Sequence, residues 1–129
     1  MNNPFDDVMK DLADLNPHDE RLEVLDQFCQ GLQANTHNGV ECRLERGYAT
    51  NLGQEWRVMA KPSSAGGPDY VLLRAHLEPG RRCHLDLYDE ELSIIDGSEA
   101  LAEALKRFAR TDDFRTMLWT LVARPPQRP

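Results

Sequence analysis

No stretch of this sequence approaches the run of roughly 18 apolar residues that a membrane span requires, and Met1 to Asp7 lack the basic start and apolar core of a secretory signal. On that ground the chain is expected to stay in the cytoplasm and to touch no membrane. Cysteine is scarce as well. Cys29, Cys42 and Cys83 are three thiols at wide spacing with no Cys-x-x-Cys pair, which argues against a disulfide framework, a zinc site and dithiol redox chemistry. Each falls at an apolar position, so all three are predicted to be buried and inert. Positive charge is in deficit: the net charge is −7, which speaks against a protein whose whole surface grips phosphates. Catalytic signatures are missing too. The Ser63-Ser64-Ala65-Gly66-Gly67 stretch lacks the lysine and following helix of a P-loop, and no serine sits in a Gly-x-Ser-x-Gly setting. No cofactor is expected.

What remains is a chain of 129 residues, 29% charged and 40% hydrophobic, which is the composition of one globular domain with one core. The charge is uneven. Residues 1–38 hold eight acids against two bases, residues 39–88 six against seven, and residues 89–129 eight against six. Acidity therefore collects at the ends and the middle is slightly basic. Twelve of the fifteen bases are arginine, the side chain suited to bidentate contact with carboxylate or phosphate.

The hydrophobic period changes twice. Asn3-Pro4-Phe5-Asp6-Asp7 and Asn16-Pro17-His18-Asp19-Glu20 each offer an N-cap, a proline at the first helical position and acids for the first turn. Helical spacing follows both, through Phe5, Val8, Met9, Leu12 and Leu15 and then through Leu22, Leu25, Phe28, Cys29 and Leu32. From Gly39 to about Asp96 the period drops to two, with turn signals at Asn51-Leu52-Gly53, Pro62–Pro68 and Glu78-Pro79-Gly80-Arg81. Helical spacing then returns, starting at Asp96-Gly97-Ser98 and again at Thr111-Asp112-Asp113, which caps the second helix. These segments predict an α+β domain over residues 1–123, with an antiparallel meander of four or five strands and two N-terminal and two C-terminal helices packed mainly on one face. Residues 124–129, Arg-Pro-Pro-Gln-Arg-Pro, are expected to be a disordered Pro-rich tail.

Strict alternation sends Val40, Cys42, Leu44, Trp56, Val58, Ala60, Val71, Leu73, Ala75, Leu77, Cys83, Leu85 and Leu87 inward. The opposite face then receives Arg43, Arg57, Met59, Lys61, Tyr70, Leu72, Arg74, His76, Arg82, His84, Asp86 and Tyr88. Arginine, tyrosine and methionine interleaved in this way are the composition of a contact surface. It is read as the binding face of a non-enzymatic interaction module, an adaptor, inhibitor or chaperone-like protein. Its partner is expected to be a second copy of the chain in a homodimer, or an acidic protein segment. Single-stranded nucleic acid, with Tyr70 and Tyr88 stacking bases, is disfavoured by the net charge. The alternative reading is a small enzyme or metal-binding domain. A hairpin that sets Arg74 opposite Asp86 also sets His76 opposite His84, which assembles two imidazoles and a carboxylate; Cys83 points to the other face and cannot join them.

Overall fold

The computed structural model describes residues 3–6, 19–63, 69–87 and 93–122. Helix α1 (Glu20–Asn35) is followed by strands β1 (Val40–Thr50), β2 (Gly53–Pro62), β3 (Tyr70–Leu77), β4 (Arg82–Leu87) and β5 (Ser93–Asp96), then by helices α2 (Ser98–Ala109) and α3 (Asp112–Val122). The five strands pair antiparallel in sequence order, β1-β2-β3-β4-β5. That is the predicted α+β meander. Among the described residues one helix precedes the sheet, not two; the first expected helix lies mostly outside them, as do Tyr88, Leu92, residues 64–68 and the 124–129 tail. No described helix is long and apolar enough to cross a membrane.

Helix α1 begins later than the Asn16-Pro17 signal suggests. Its N-cap is Asp19, whose carboxylate accepts from the Arg21 backbone N–H at 2.9 Å, and Glu20 and Glu23 occupy the first turn, where the helix dipole favours them. The helix stops at a turn in which His37 (φ 53°) and Asn38 (φ 60°) are left-handed. Asn38 donates its N–H back to the Gln33 carbonyl at 2.9 Å, reversing the chain directly into β1. Helix α2 starts at Gly97 without a side-chain cap. In α3 the predicted cap is made, since the Thr111 hydroxyl oxygen accepts from the Phe114 N–H at 3.2 Å.

The register explains why alternation reads so cleanly. Leu44, Val58, Leu73 and Leu87 stand opposite one another across four strands, and Gln54, Leu77, Cys83 and Ile95 form a second such row. The apolar members of these rows form one core with Leu25 and Cys29 of α1, Leu101, Leu105 and Phe108 of α2, and Phe114 and Leu121 of α3. All three helices therefore cover one face of the sheet. Phe114 fastens α3 to the other two, with its ring 4.9 Å from Phe108 and 6.1 Å from Phe28, distances at which tilted aromatic pairs attract. Trp56 packs against the core as predicted. Trp119 of α3 leaves 72% of its surface open.

Candidate functional site

The second face of the sheet is built from the complementary set of alternating residues, and two rows cross it. One runs Glu45, Arg57, Arg74, Asp86 from β1 to β4, and the next runs Glu55, His76, His84, Ile94 from β2 to β5. Arg74 thus stands opposite Asp86 and His76 opposite His84, the one hairpin register in which the two imidazoles face each other. Arg43, Arg57, Met59, Arg74, His76, His84 and Asp86 share this face, and Arg82 stands beyond them, opposite Asp96.

Two members of the expected set are elsewhere. Val58 pairs with Leu73 but Met59 pairs with Val71, so β3 carries one extra residue, Leu72. A bulge of this kind reverses the parity of everything before it. Leu72 is only 1% exposed and joins the hydrophobic core. Tyr70 is carried opposite Ala60, a residue of the helix-covered face. The run Tyr70-Val71-Leu72-Leu73, apolar at four consecutive positions, is the mark this bulge leaves in the sequence.

Exposure divides the face further. Met59, His76 and His84 are buried, at 7–8%, whereas Arg43, Arg74 and Arg82 are exposed and Arg57 and Asp86 are intermediate. Carboxylates of the chain itself occupy most of the cations. Arg43 holds Asp69 bidentately at 2.9 and 2.7 Å and reaches Glu45 at 3.4 Å. The hydrogen bonds that Arg43 donates to Asp69 hold its guanidinium above its usual range, and Arg43 in turn holds the Asp69 carboxyl below its own. Arg57 lies 3.3 Å from Glu55 and 3.7 Å from Glu45, Lys61 lies 3.4 Å from Glu41, and Arg82 lies 3.7 Å from Glu78. Alternation gave no warning of the carboxylates at Arg43 and Arg82, because Asp69 and Glu78 sit in the connections rather than in the strands.

Arg74 is different. It has no ion-pair partner among the described residues, and the expected bridge to Asp86 is not made although the two are cross-strand neighbours. Its other neighbour is Arg57, whose Nε is buried without a hydrogen bond. Like charges directly opposite on adjacent strands repel, and here they crowd the middle of the face.

The imidazoles do not complete a metal site. Both ring nitrogens of His84 are buried without a hydrogen bond, and its nearest charged group is Glu78, 3.3 Å from Nε2. His76 Nδ1 lies 3.4 Å from the Thr50 hydroxyl. Among the described residues no three His, Cys, Asp or Glu side chains are grouped to hold an ion, so the two-His, one-carboxylate arrangement is not formed.

The cysteines depart in one respect from the inert set expected. Cys29 and Cys83 are buried, but Cys42 is intermediate and in contact with Cys29. A hydrogen bond from the Cys29 thiol, opposed by burial and aided by the charge of Arg43, lowers the Cys42 thiol. The same bond, with burial, raises Cys29. Burial raises Cys83 to about 11.

Sequence reading also passed over Arg21. It shares the helical phase of Leu25 and Cys29 and is 6% exposed, donating through Nη1 to the Arg82 carbonyl at 2.6 Å and through Nη2 to Asp19 at 2.8 Å. Beside it a cleft of about 440 Å³ opens between the starts of α1 and α2 and the β3–β4 turn, lined by Asp19, Glu20, Arg81, Ser98 and Glu99 among others. The Ser98 hydroxyl there donates to the Glu20 carboxylate at 3.2 Å. Compared with protein-family models, with curated proteins and with solved structures, the chain matches none.

Proposed function

We propose that the protein is a non-enzymatic interaction module that takes an acidic segment of a protein partner on the second face of its sheet, centred on Arg74 and Arg57. The observation that carries this reading is the cross-strand pair of arginines in which Arg74 is exposed and, although Asp86 stands opposite it, makes no ion pair among the described residues. An incoming Asp or Glu relieves the repulsion between the two guanidiniums and satisfies their donors, and arginine's planar fork suits that contact. The other cations of the face, Arg57 included, already lie beside internal carboxylates, so the unmet attraction is local to Arg74. Attraction confined to one spot selects where a partner's charge is placed more than it adds affinity.

Fluorescence anisotropy with a labelled peptide of alternating glutamate and leucine tests the reading. Binding that weakens with salt, and about tenfold or more in Arg74→Glu, which corresponds to roughly 1.4 kcal/mol, is the expected result. Equal affinity of the parent and Arg74→Glu for that peptide, or binding of neither, removes the acidic-segment reading.

A further inference from the structure

The outer edge of β1 offers a second surface, distinct from the sheet face. In antiparallel pairing, alternate residues turn their N–H and C=O groups toward and away from the neighbouring strand. Val40 and Cys42 turn theirs away from β2: the Val40 N–H goes to the Thr36 hydroxyl at 3.3 Å and the Cys42 N–H to the Gln33 side-chain carbonyl at 3.3 Å. Val40 also pairs with Pro62, which has no N–H to offer, and Ser63 donates to Gly39 at 3.0 Å one residue earlier. By the same parity the N–H and C=O groups of Leu44 and Arg46 point off the sheet. Outside the sheet ladder neither N–H makes a hydrogen bond among the described residues. Helix α1 therefore caps the first part of this edge and leaves the next part open, with Tyr48 beside it 81% exposed. Open edges invite strand pairing, and proteins that avoid it cover or shorten them. The opposite edge, β5, is only four residues long.

The side chains along the open stretch choose the register. On the second face β1 presents Glu41, Arg43 and Glu45 in alternation, and Arg43 and Glu45 keep 48% and 43% of their side-chain surface open. If two copies pair antiparallel about Arg43, Arg43 meets itself and Glu41 meets Glu45; about Glu45, Glu45 meets itself. Pairing about Leu44 sets Arg43 against Glu45 of the other copy twice, Leu44 against Leu44, and Glu41 against Gly47. It also aligns the outward N–H groups of Leu44 and Arg46 with the outward carbonyls of Leu44 and Cys42.

We infer that two copies of the chain join edge to edge through β1, antiparallel about Leu44, in a two-fold dimer with one ten-stranded sheet. The occupant is a second copy because the charge sequence of this strand is complementary to itself in that register and in neither neighbouring one. Four main-chain hydrogen bonds form without disturbing any bond of the monomer: Leu44 N–H to the partner's Leu44 carbonyl and Arg46 N–H to the partner's Cys42 carbonyl, each made twice. The two second faces lie side by side on one continuous surface. This inference does not depend on the acidic-segment reading, and either can fail alone.

Sedimentation velocity of the full chain across the micromolar range tests it. The expected result is a concentration-dependent particle of twice the 14.7 kDa chain mass. Arg46→Pro removes an outward N–H that no strand of the monomer uses, a substitution that sheet edges accept, and is expected to give a monomer with the parent's circular dichroism. Arg43→Glu sets like charges across the axis and is expected to weaken the dimer about tenfold. Adding Glu45→Arg restores opposite charges and is expected to restore the dimer. Should Arg46→Pro fold poorly, the charge pair decides alone. A parent that stays monomeric throughout, a dimer that survives a well-folded Arg46→Pro, or no rescue by the double change overturns the inference. A dimer lost only in Arg74→Glu moves self-association to the sheet face.

Discussion

Truncating Arg21 is the sharpest test of what fastens α1 to the sheet. Its guanidinium is spent on two ends of the fold: Nε and Nη2 bind the Asp19 carboxylate at 3.0 and 2.8 Å, and Nη1 binds the Arg82 carbonyl of β4 at 2.6 Å. Arg21→Ala deletes all three bonds, opens space at a side chain 7% exposed, and strands Asp19, which is 25% exposed. Breaking a buried ion pair from one side costs about 3–5 kcal/mol. Asp19 regains water, and the Arg82 carbonyl keeps its bond from the Glu78 N–H at 3.1 Å, so the lower end, about 3 kcal/mol, is expected. In a domain of this size that is a fall of roughly 10 °C in Tm. Urea denaturation followed by circular dichroism measures it, with an unchanged slope showing that the same surface unfolds. The pH dependence is a second readout. Burial raises the Asp19 carboxyl, but the Arg21 side-chain bond, the Arg21 N–H and the Arg21 charge together hold it below its ordinary 3.8. A carboxyl lowered on folding stabilises above its unfolded value, and that contribution fades as pH falls through the lower folded value. The parent's advantage over Arg21→Ala is therefore full at pH 7 and shrinks below about pH 4. A cost under about 1 kcal/mol at pH 7 would show that Arg21 is an exposed-type pair and that α1 is held by Leu25 and Cys29 alone.

Two glycines of positive φ should respond unequally to alanine. At Gly53 (φ 116°) an added Cβ runs into the Leu77 backbone carbonyl, whereas at Gly80 (φ 98°) it meets open space, so denaturation should register more than about 2 kcal/mol for Gly53→Ala and about 1 for Gly80→Ala. Equal costs would mean that backbone conformation alone matters at both turns. Iodoacetamide near pH 7.5, followed by peptide mass mapping, should label Cys42 well before Cys29 or Cys83, and Cys29→Ala should slow that labelling by removing the thiol donor. Uniform labelling, or a rate at Cys42 indifferent to Cys29→Ala, would refute the thiol contact.

The period of two from Val40 to Leu87 and the turn residues between its segments were enough to read an antiparallel meander, because short connections favour neighbouring antiparallel pairs, whereas strand order and register were decided by the folded sheet. The opposition of Arg74 with Asp86 and of His76 with His84 was one register open to the β3–β4 hairpin, and the folded sheet adopts it. Thr111 announced its helix because a cap is a local hydrogen bond.

Decisions that depended on distant parts of the chain were not legible. Leu72 entered the core and Tyr70 changed faces because the pairing of β3 with β2 absorbed one extra residue, which alternation along a single strand does not register. Arg21 reads as a charged surface residue until β4 brings the Arg82 carbonyl to it. Sequence placed the arginines on one face, but only the folded chain, by bringing Asp69 beside Arg43 and Glu45 beside Arg57, decided which of them remain available. Periodicity records which way a side chain points, and a carboxylate arriving from another segment determines what it meets there.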